Sequence, residues 1–252
     1  MQHTEPKLFA LIPAYNEEKN IERAIQRTIA ALEPLARPFV IIVINDGSRD
    51  ATRAIVERQG AADPRVQLLN HATNRGVGQV FRTGFQHVLA AAAPDDWVLT
   101  TEADNTSDVG ILPEMLRRLA AGDDLVLASC YAPGGGVTGT GVHRHFLSAV
   151  ANAFIRQLFG LRRLHTFSSF YRLYRVAVLR RVCEKYGEQL IDSPGFSCMV
   201  ELLVRIHRLG GVRISEVPMV LRGEERIGAS NMKVMKTIIG YFELFWRELK
   251  HR

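Results

Sequence analysis

The chain alternates between two hydrophobic rhythms. Residues 8–12 (LFALI) and 39–44 (FVIIVI) are short, continuous apolar runs, the pattern of strands covered on both faces. Between them Ile21, Ala24, Ile25, Thr28, Ile29 and Leu32 recur at helical spacing, with Asn16 as the expected cap. The alternation goes on to predict a strand near 66–69, a helix near 79–91, a strand at 97–101, a helix at 111–120 and a strand at 125–129. Strand and helix in turn imply a parallel α/β sheet wound with right-handed crossovers. After residue 130 come a glycine-rich loop, a helix near 144–159, helices near 174–184 and 197–209, a strand at 212–217 and a last helix from about 232. No internal repeat or low-complexity linker interrupts the chain, so a single domain is expected.

Ligands of such sheets bind at the carboxyl ends of the strands. The segments leaving the first four strands are PAYNEE (13–18), NDGSRD (45–50), NRGVGQ (74–79) and EADNTSD (102–108), and all four should meet on one rim. The last is unusual. Val98, Leu99 and Thr100 have a buried pattern, yet Glu102, Asp104 and Asp108 follow at once. Carboxylates so placed repel one another, so a positive group should sit between them. The plain alternative is a solvated, capping acidic turn. GGGVTG (134–139) fits the dinucleotide pattern G-x-G-x-x-G, but that fingerprint belongs in the first strand-to-helix turn, here the bulky and acidic PAYNEE. A dinucleotide-binding fold is therefore rejected.

At 252 residues, 47% of them apolar, the chain can bury one large core. A net charge of +6 points to anionic partners: nucleic acid, phosphorylated small molecules or an acidic membrane surface. The charge is spread in pairs such as Arg162-Arg163 and Arg180-Arg181, without a basic tail or nucleic-acid motif, which argues against nucleic acid. Cys130, Cys183 and Cys198 lack metal spacing and cannot all pair, as suits core residues in a reducing compartment. Glu5 and Lys7 precede the first strand, so no signal peptide is expected. No apolar run approaches the roughly 18 residues of a spanning helix. The expected location is the cytoplasm, free or peripheral on the cytoplasmic face of a membrane.

LIPAYNEEKNI, VINDGSRDAT, NRGVGQVFRTGF and EADNTSD stand in the order and spacing of family-two inverting glycosyltransferases, and the chain resembles in particular the dolichyl-phosphate mannosyltransferases and related polyprenyl-phosphate sugar transferases. SCYAPGGG, SSFYRLYR, EVPMVLR and RIGASNMK extend the resemblance over nearly the whole chain. It implies an α/β fold of the GT-A type, Rossmann-like, with a mostly parallel sheet flanked by helices. It further implies a donor half (about 1–130), an acceptor half (about 131–231) and an appended C-terminal amphipathic helix (232–252). The family's D-x-D motif, here Glu102-Ala103-Asp104, would bind Mg²⁺ or Mn²⁺ against the donor diphosphate, with Thr106 assisting; glutamate is still a hard oxygen ligand. By the same carry-over Pro13, Tyr15 and Glu17 line the nucleoside pocket and Asp46 accepts from the base. A lipid phosphate acceptor arrives ionised and needs little or no general base, but it needs cations: Arg144, Arg172 and Arg226, with Ser230 and Lys233. Asp104, Arg144 and Arg172 are the expected catalytic residues. His143 and His145 flank Arg144 and are candidates for a base if one is used. Gly76 and Gly78 either allow close backbone packing beside the donor or form a plain turn.

Two departures fall on the acceptor side: Ala128-Ser129-Cys130 replaces Gly-Ser-Arg, and Thr166–Arg172 replaces Asp-x-Thr-Ser-Gly-Phe-Arg. Transfer from a nucleotide sugar (GDP- or UDP-linked) to a polyprenyl or dolichyl phosphate is the expected activity. The alternatives are a non-lipid hydroxyl acceptor, or a catalytically idle nucleotide-sugar binder hinted at by Glu102. In the last helix Met235, Ile238, Ile239, Phe242, Phe245, Trp246 and Leu249 form one stripe, with Lys233, Lys236, Arg247 and Lys250 off it. Relatives often carry membrane helices beyond this point. Here the stripe either lies in a membrane interface, making attachment peripheral, or packs on the domain or on a second subunit of a homo-oligomer.

Overall fold

A computed structural model describes residues 5–139, 142–187, 190–228 and 234–249. The first half follows the rhythm of the sequence: β1 (Leu8–Ala14), α1 (Ile21–Leu32), β2 (Phe39–Asn45), α2 (Thr52–Ala62), β3 (Val66–Asn70), α3 (Val77–Ala91), β4 (Trp97–Thr100), α4 (Leu112–Ala120) and β5 (Leu125–Ser129). The second half adds β6 (Gly136–Thr138), α5 (Val142–Phe159), β7 (Arg172–Arg175), α6 (Val176–Tyr186), α7 (Cys198–His207), β8 (Ile214–Pro218), β9 (Val220–Arg222) and α8 (Val234–Leu249).

Seven strands form one sheet in the order β3-β2-β1-β4-β7-β5-β8, and β6 pairs with β9 apart from it. Side chains leave successive strand positions on opposite faces. Leu8, Ala10 and Ile12 therefore join one buried cluster with α1 and α4, while Phe9 and Leu11 join the other with α3 and α7. A strand buried on both faces must be apolar at every position, which is why LFALI and FVIIVI lack alternation. Because β7 and β8 come from the second half and lie in the same sheet, the two halves share one core and form a single domain.

The sheet is mostly parallel rather than wholly so, because β7 runs antiparallel between β4 and β5. Sequence periodicity misses this strand and extends a helix over its end. It has only four residues, bounded by Arg172 and Arg175, and runs directly into α6. Asn16 does not cap α1. It has φ +54 and its side chain accepts from Arg49 N at 2.9 Å, while α1 starts after Asn20. Within GGGVTG only Gly136-Val137-Thr138 form β6, and Gly134 and Gly135 lie in the turn before it, so the late G-x-G-x-x-G match leads into a short strand rather than a helix and is no phosphate loop.

Gly76 and Gly78 do serve close packing, against the chain itself. A Cβ on Gly78 would lie 1.8 Å from the carbonyl oxygen of Ser193, and Gly78 N donates to Pro194 O at 2.9 Å.

Candidate active site

The four polar segments at the strand ends are tied to one another. Asn16 N donates to Ser48 Oγ at 2.9 Å and Glu17 N to Thr52 Oγ1 at 2.8 Å, joining the first segment to the second. Asp46, buried at the end of β2, accepts from Arg75 N and Gly76 N, each at 2.9 Å, which joins the second to the third. Asn105 Nδ2 donates to Asn20 O at 3.1 Å and joins the fourth to the first. These are short-range constraints on loops that sequence separates widely, and they give the rim a fixed shape.

The turn after β4 is built to hold charge. Asn105 adopts φ +65, in the left-handed region that asparagine tolerates. Arg27 of α1 donates to the carbonyls of Asn105 at 2.8 Å and Ser107 at 3.3 Å. Asp104 Oδ1 accepts from Thr106 N at 3.0 Å and from Thr106 Oγ1 at 2.7 Å. Its other oxygen, Oδ2, forms an ion pair with Arg226. Glu102 accepts from Ser107 Oγ and, at 3.2 Å, from Phe170 N. Ala103 between them is buried in the core.

A positive group thus does lie among the acidic residues. Arg226 contacts Asp104, and its charge acts on both Glu17 and Glu102. Burial pushes the Glu17 carboxyl above the usual range, against a hydrogen bond from Asn20 and the charge of Arg226. Burial likewise raises Glu102, opposed by Ser107, the Phe170 N–H and the charges of Arg226 and Arg172. For Arg226 burial works the other way and lowers the guanidinium below its ordinary value, with Glu17 and Glu102 opposing.

The expected donor residues fall on this rim. Pro13 pairs with Ile44 in the sheet, Tyr15 follows β1, and Glu17 accepts from Asn20 Nδ2 at 2.8 Å. Asp46 is engaged within the protein, bonded also to His71 Nδ1 at 2.8 Å.

Among the expected acceptor residues the structure requires a correction. Arg172 is fully buried in β7, with Nε donating to Ser169 O at 2.8 Å, Nη1 to Met199 O at 2.6 Å and Nη2 to Phe167 O. A guanidinium bonded on every side to carbonyls inside the core braces β7 against α7 and is not placed to grip a phosphate. Arg226 lies on the acidic turn rather than apart from it. Arg144 belongs to the first turn of α5 with its side chain outside the described set, and Ser230 and Lys233 lie outside the described residues. Cys130, where the family pattern has arginine, is a thiol that burial pushes up to about 11, so it is neutral at physiological pH and carries no charge for a phosphate.

Asn20, Arg27 and Arg222 were not among the residues expected here. No local pattern marks them, because their partners here lie far along the chain. Only the folded chain shows Arg222 N donating to Thr106 O at 2.9 Å.

Residues 9–183 match the glycosyl transferase family 2. The chain belongs to that family. It is 31% identical over 227 residues to a polyprenol monophosphomannose synthase of Mycolicibacterium smegmatis, covering 90% of this chain and 81% of that protein. It is 29% identical over 226 residues to an undecaprenyl-phosphate mannosyltransferase of Micrococcus luteus, covering 90% and 87%. The fold matches a crystal structure of glucosyl-3-phosphoglycerate synthase from Mycobacterium tuberculosis, solved with Mn²⁺, UDP and phosphoglyceric acid, at TM-score 0.66 and 18% identity over 95% of this chain and 78% of that one. A second structure of that synthase, with phosphoglyceric acid, matches at TM-score 0.65 and 18% identity, covering 98% and 80%. The fold of this family 2 glycosyltransferase is GT-A-like, and its acidic turn follows the central strand β4.

Proposed function

We propose that this glycosyltransferase moves a sugar from a nucleotide-sugar donor to a polyprenyl or dolichyl phosphate, with inversion and with a divalent metal at the acidic turn. The observation that carries this reading is the meeting of Glu17, Glu102, Asp104 and Arg226 at the carboxyl ends of β1 and β4. Both curated relatives are named for mannosyl transfer to a polyprenyl phosphate, which supports the lipid acceptor and makes mannose the first sugar to test.

The residues fit Mg²⁺ or Mn²⁺. Asp104 Oδ2 already accommodates a cation, the Arg226 guanidinium. Among the described residues no three His, Cys, Asp or Glu side chains converge to make a full metal cage. That agrees with Mg²⁺ chemistry, which uses one or two carboxylates and completes its shell with water and substrate phosphates. Asp104 would ligate directly, Glu102 directly or through water, and Thr106 orients Asp104. When bound, the metal neutralises charge on the departing diphosphate.

The remaining work falls to the chain itself. Glu17 accepts from ribose hydroxyls, and Pro13, Tyr15 and Asp46 bound the nucleoside. The acceptor phosphate oxygen attacks the anomeric carbon as the bond to the nucleotide breaks on the opposite face. An ionised phosphate oxygen needs no proton removed. Arg144, Ser230 and Lys233 are the proposed grip on that phosphate. Domain use follows the same division, with residues 1–130 serving the donor, 131–231 the acceptor and 232–252 the surface.

That surface is the membrane, reached from the cytoplasmic face. No described helix is long and apolar enough to cross it. Helix α8 buries Tyr241, Leu244 and Glu248, while Ile239, Phe242 and Trp246 point the opposite way, with Trp246 66% exposed. An outward face of Ile, Phe and Trp suits a membrane interface.

Transfer to a hydroxyl is the second reading, and one observation favours it. The half-exposed His165 bonds through Nδ1 to the buried Glu216 at 2.7 Å, an arrangement that can serve as a general base. Incubating the protein with a panel of nucleotide sugars, Mn²⁺ and a short polyprenyl phosphate, read by mass spectrometry, tests the proposal. A glycosyl-phospholipid from at least one GDP- or UDP-sugar supports it, and products only on hydroxyl acceptors oppose it.

A further inference from the structure

The loop that carries Arg226 is fastened from several sides, and Asn20 holds its backbone directly. Asn20 is buried just before α1. Its Nδ2 donates to Ile227 O at 3.0 Å and its Oδ1 accepts from Ile227 N at 3.0 Å, so the amide pairs with the residue after Arg226 as a neighbouring strand would. The same Nδ2 donates to Glu17 Oε2 at 2.8 Å, and the Asn20 carbonyl accepts from Asn105 Nδ2 at 3.1 Å. One asparagine thus touches the nucleoside-side glutamate, the acidic turn and the Arg226 loop. Arg23 pairs with Glu225, and Thr138 Oγ1 donates to Glu224 at 2.9 Å, holding the loop on either side.

We infer that Arg226 is a removable counter-cation which competes with the divalent metal for Asp104, and that Asn20 is the positioning residue that sets this competition. The inference rests on the metal site proposed above. Asp104 has one oxygen bound to Thr106 and the other to Arg226. A second cation cannot share Oδ2 with a guanidinium without strong repulsion. Of the two partners, Thr106 is the harder to displace, because it lies two residues away in the same turn and offers both N–H and O–H. Arg226 comes from 122 residues away on a loop, through a long side chain. The guanidinium must therefore be the one to leave. Once displaced beside a bound diphosphate, it has an anion within reach, and arginine pairs well with phosphate oxygens. Metal entry would then deliver the arginine to the donor or acceptor phosphate, coupling the two binding events.

The test is Mn²⁺ binding without nucleotide, followed by the electron paramagnetic resonance signal of free Mn²⁺. Arg226→Gln and Asn20→Ala should each tighten binding about fivefold or more, while Arg226→Lys, which keeps a cation, stays near the wild-type value. The double variant Asn20→Ala with Arg226→Gln should bind no tighter than Arg226→Gln alone, because Asn20 acts through Arg226. Asp104→Asn should abolish binding in every background. If Mn²⁺ binding ignores Asp104, the metal-site reading itself fails. If binding needs Asp104 but Arg226→Gln leaves it unchanged or weaker, the competition is wrong and the metal site stands. If Asn20→Ala adds to Arg226→Gln, the positioning role is wrong. Should Asn20→Ala fail to fold by circular dichroism, Asn20→Ser, which loses the paired bonds to Ile227 and adds no charge beside Glu17, takes its place in the same comparisons.

Discussion

Asp104 and Arg226, 122 residues apart in sequence, form an ion pair at the carboxyl end of the sheet. The pair joins the turn after β4 to the loop after β9. The acidic turn therefore holds a cation within the protein at the place proposed for a metal.

Asp104→Asn should remove nearly all sugar transfer while leaving the melting temperature within a few degrees of wild type, because a neutral amide ligates Mg²⁺ poorly. Glu102→Gln should be milder, since both Glu102 oxygens already engage Ser107 and Phe170. Steady-state rates at saturating Mn²⁺, with a thermal melt of each variant, check both statements. Normal metal-dependent turnover in Asp104→Asn would remove it from the site.

Arg172→Ala should act on stability rather than on acceptor affinity. It strips donors from three carbonyls around a fully buried side chain. Unsatisfied buried groups cost about 1–3 kcal/mol each, so a loss of about 3 kcal/mol or more follows, or about 6–12 °C in Tm for a chain of this size. A soluble, normally melting Arg172→Ala with a selective rise in KM for the phosphorylated acceptor would restore the role that its sequence context suggests.

The two faces of α8 should separate by mutation. Phe242→Ala with Trp246→Ala removes exposed aromatic side chains and should cut flotation with anionic liposomes tenfold or more, by roughly 1.5–3 kcal/mol per buried aromatic, with a smaller fall in Tm than Leu244→Ala causes. Leu244→Ala opens a cavity on the inward face and should cost about 2–5 kcal/mol. If the wild-type protein does not float with such liposomes at low salt, the outward face is not a membrane surface.

Acid should loosen the anchoring of α7 and its preceding loop. Burial alone would raise the Asp192 carboxyl, but the hydrogen bond and charge of Arg205 outweigh it and hold it below the usual range. A folded value below the unfolded one contributes stability that is present above the unfolded pKa and is lost as pH falls through the folded value. Urea titrations at about pH 5 and about pH 3, on either side of the ordinary aspartate range, should show a smaller loss for Asp192→Asn than for wild type. Equal losses would contradict the shift.

Much of the fold was legible because its strands are buried on both faces, and continuous apolar runs such as LFALI report that directly. The convergence of the four polar segments was legible for the same reason, since topology alone sends them to one rim. What escaped was long-range or short. The strand β7 is four residues with arginine at both ends, and nothing local separates it from α6. Arg172 reads as a cation for the acceptor phosphate because its burial depends on carbonyls supplied by Phe167, Ser169 and Met199, which no local pattern announces. In the acidic turn the sequence demanded a positive group but could not say that Arg226 would supply it in the protein. The stripe on α8 reads as a single face, yet Tyr241 and Leu244, off that stripe, are buried, while of the stripe's own residues Phe245 packs edge-on against Phe159 and Ile239, Phe242 and Trp246 are exposed.

The measurement that bears most directly on the proposed activity is a paired reaction with one nucleotide sugar, Mn²⁺ and equal amounts of a polyprenyl phosphate and the matching free polyprenol, analysed by mass spectrometry. Transfer should appear on the phosphate alone and vanish in Asp104→Asn. Sugar on the free polyprenol, or transfer that persists in Asp104→Asn, would contradict the account.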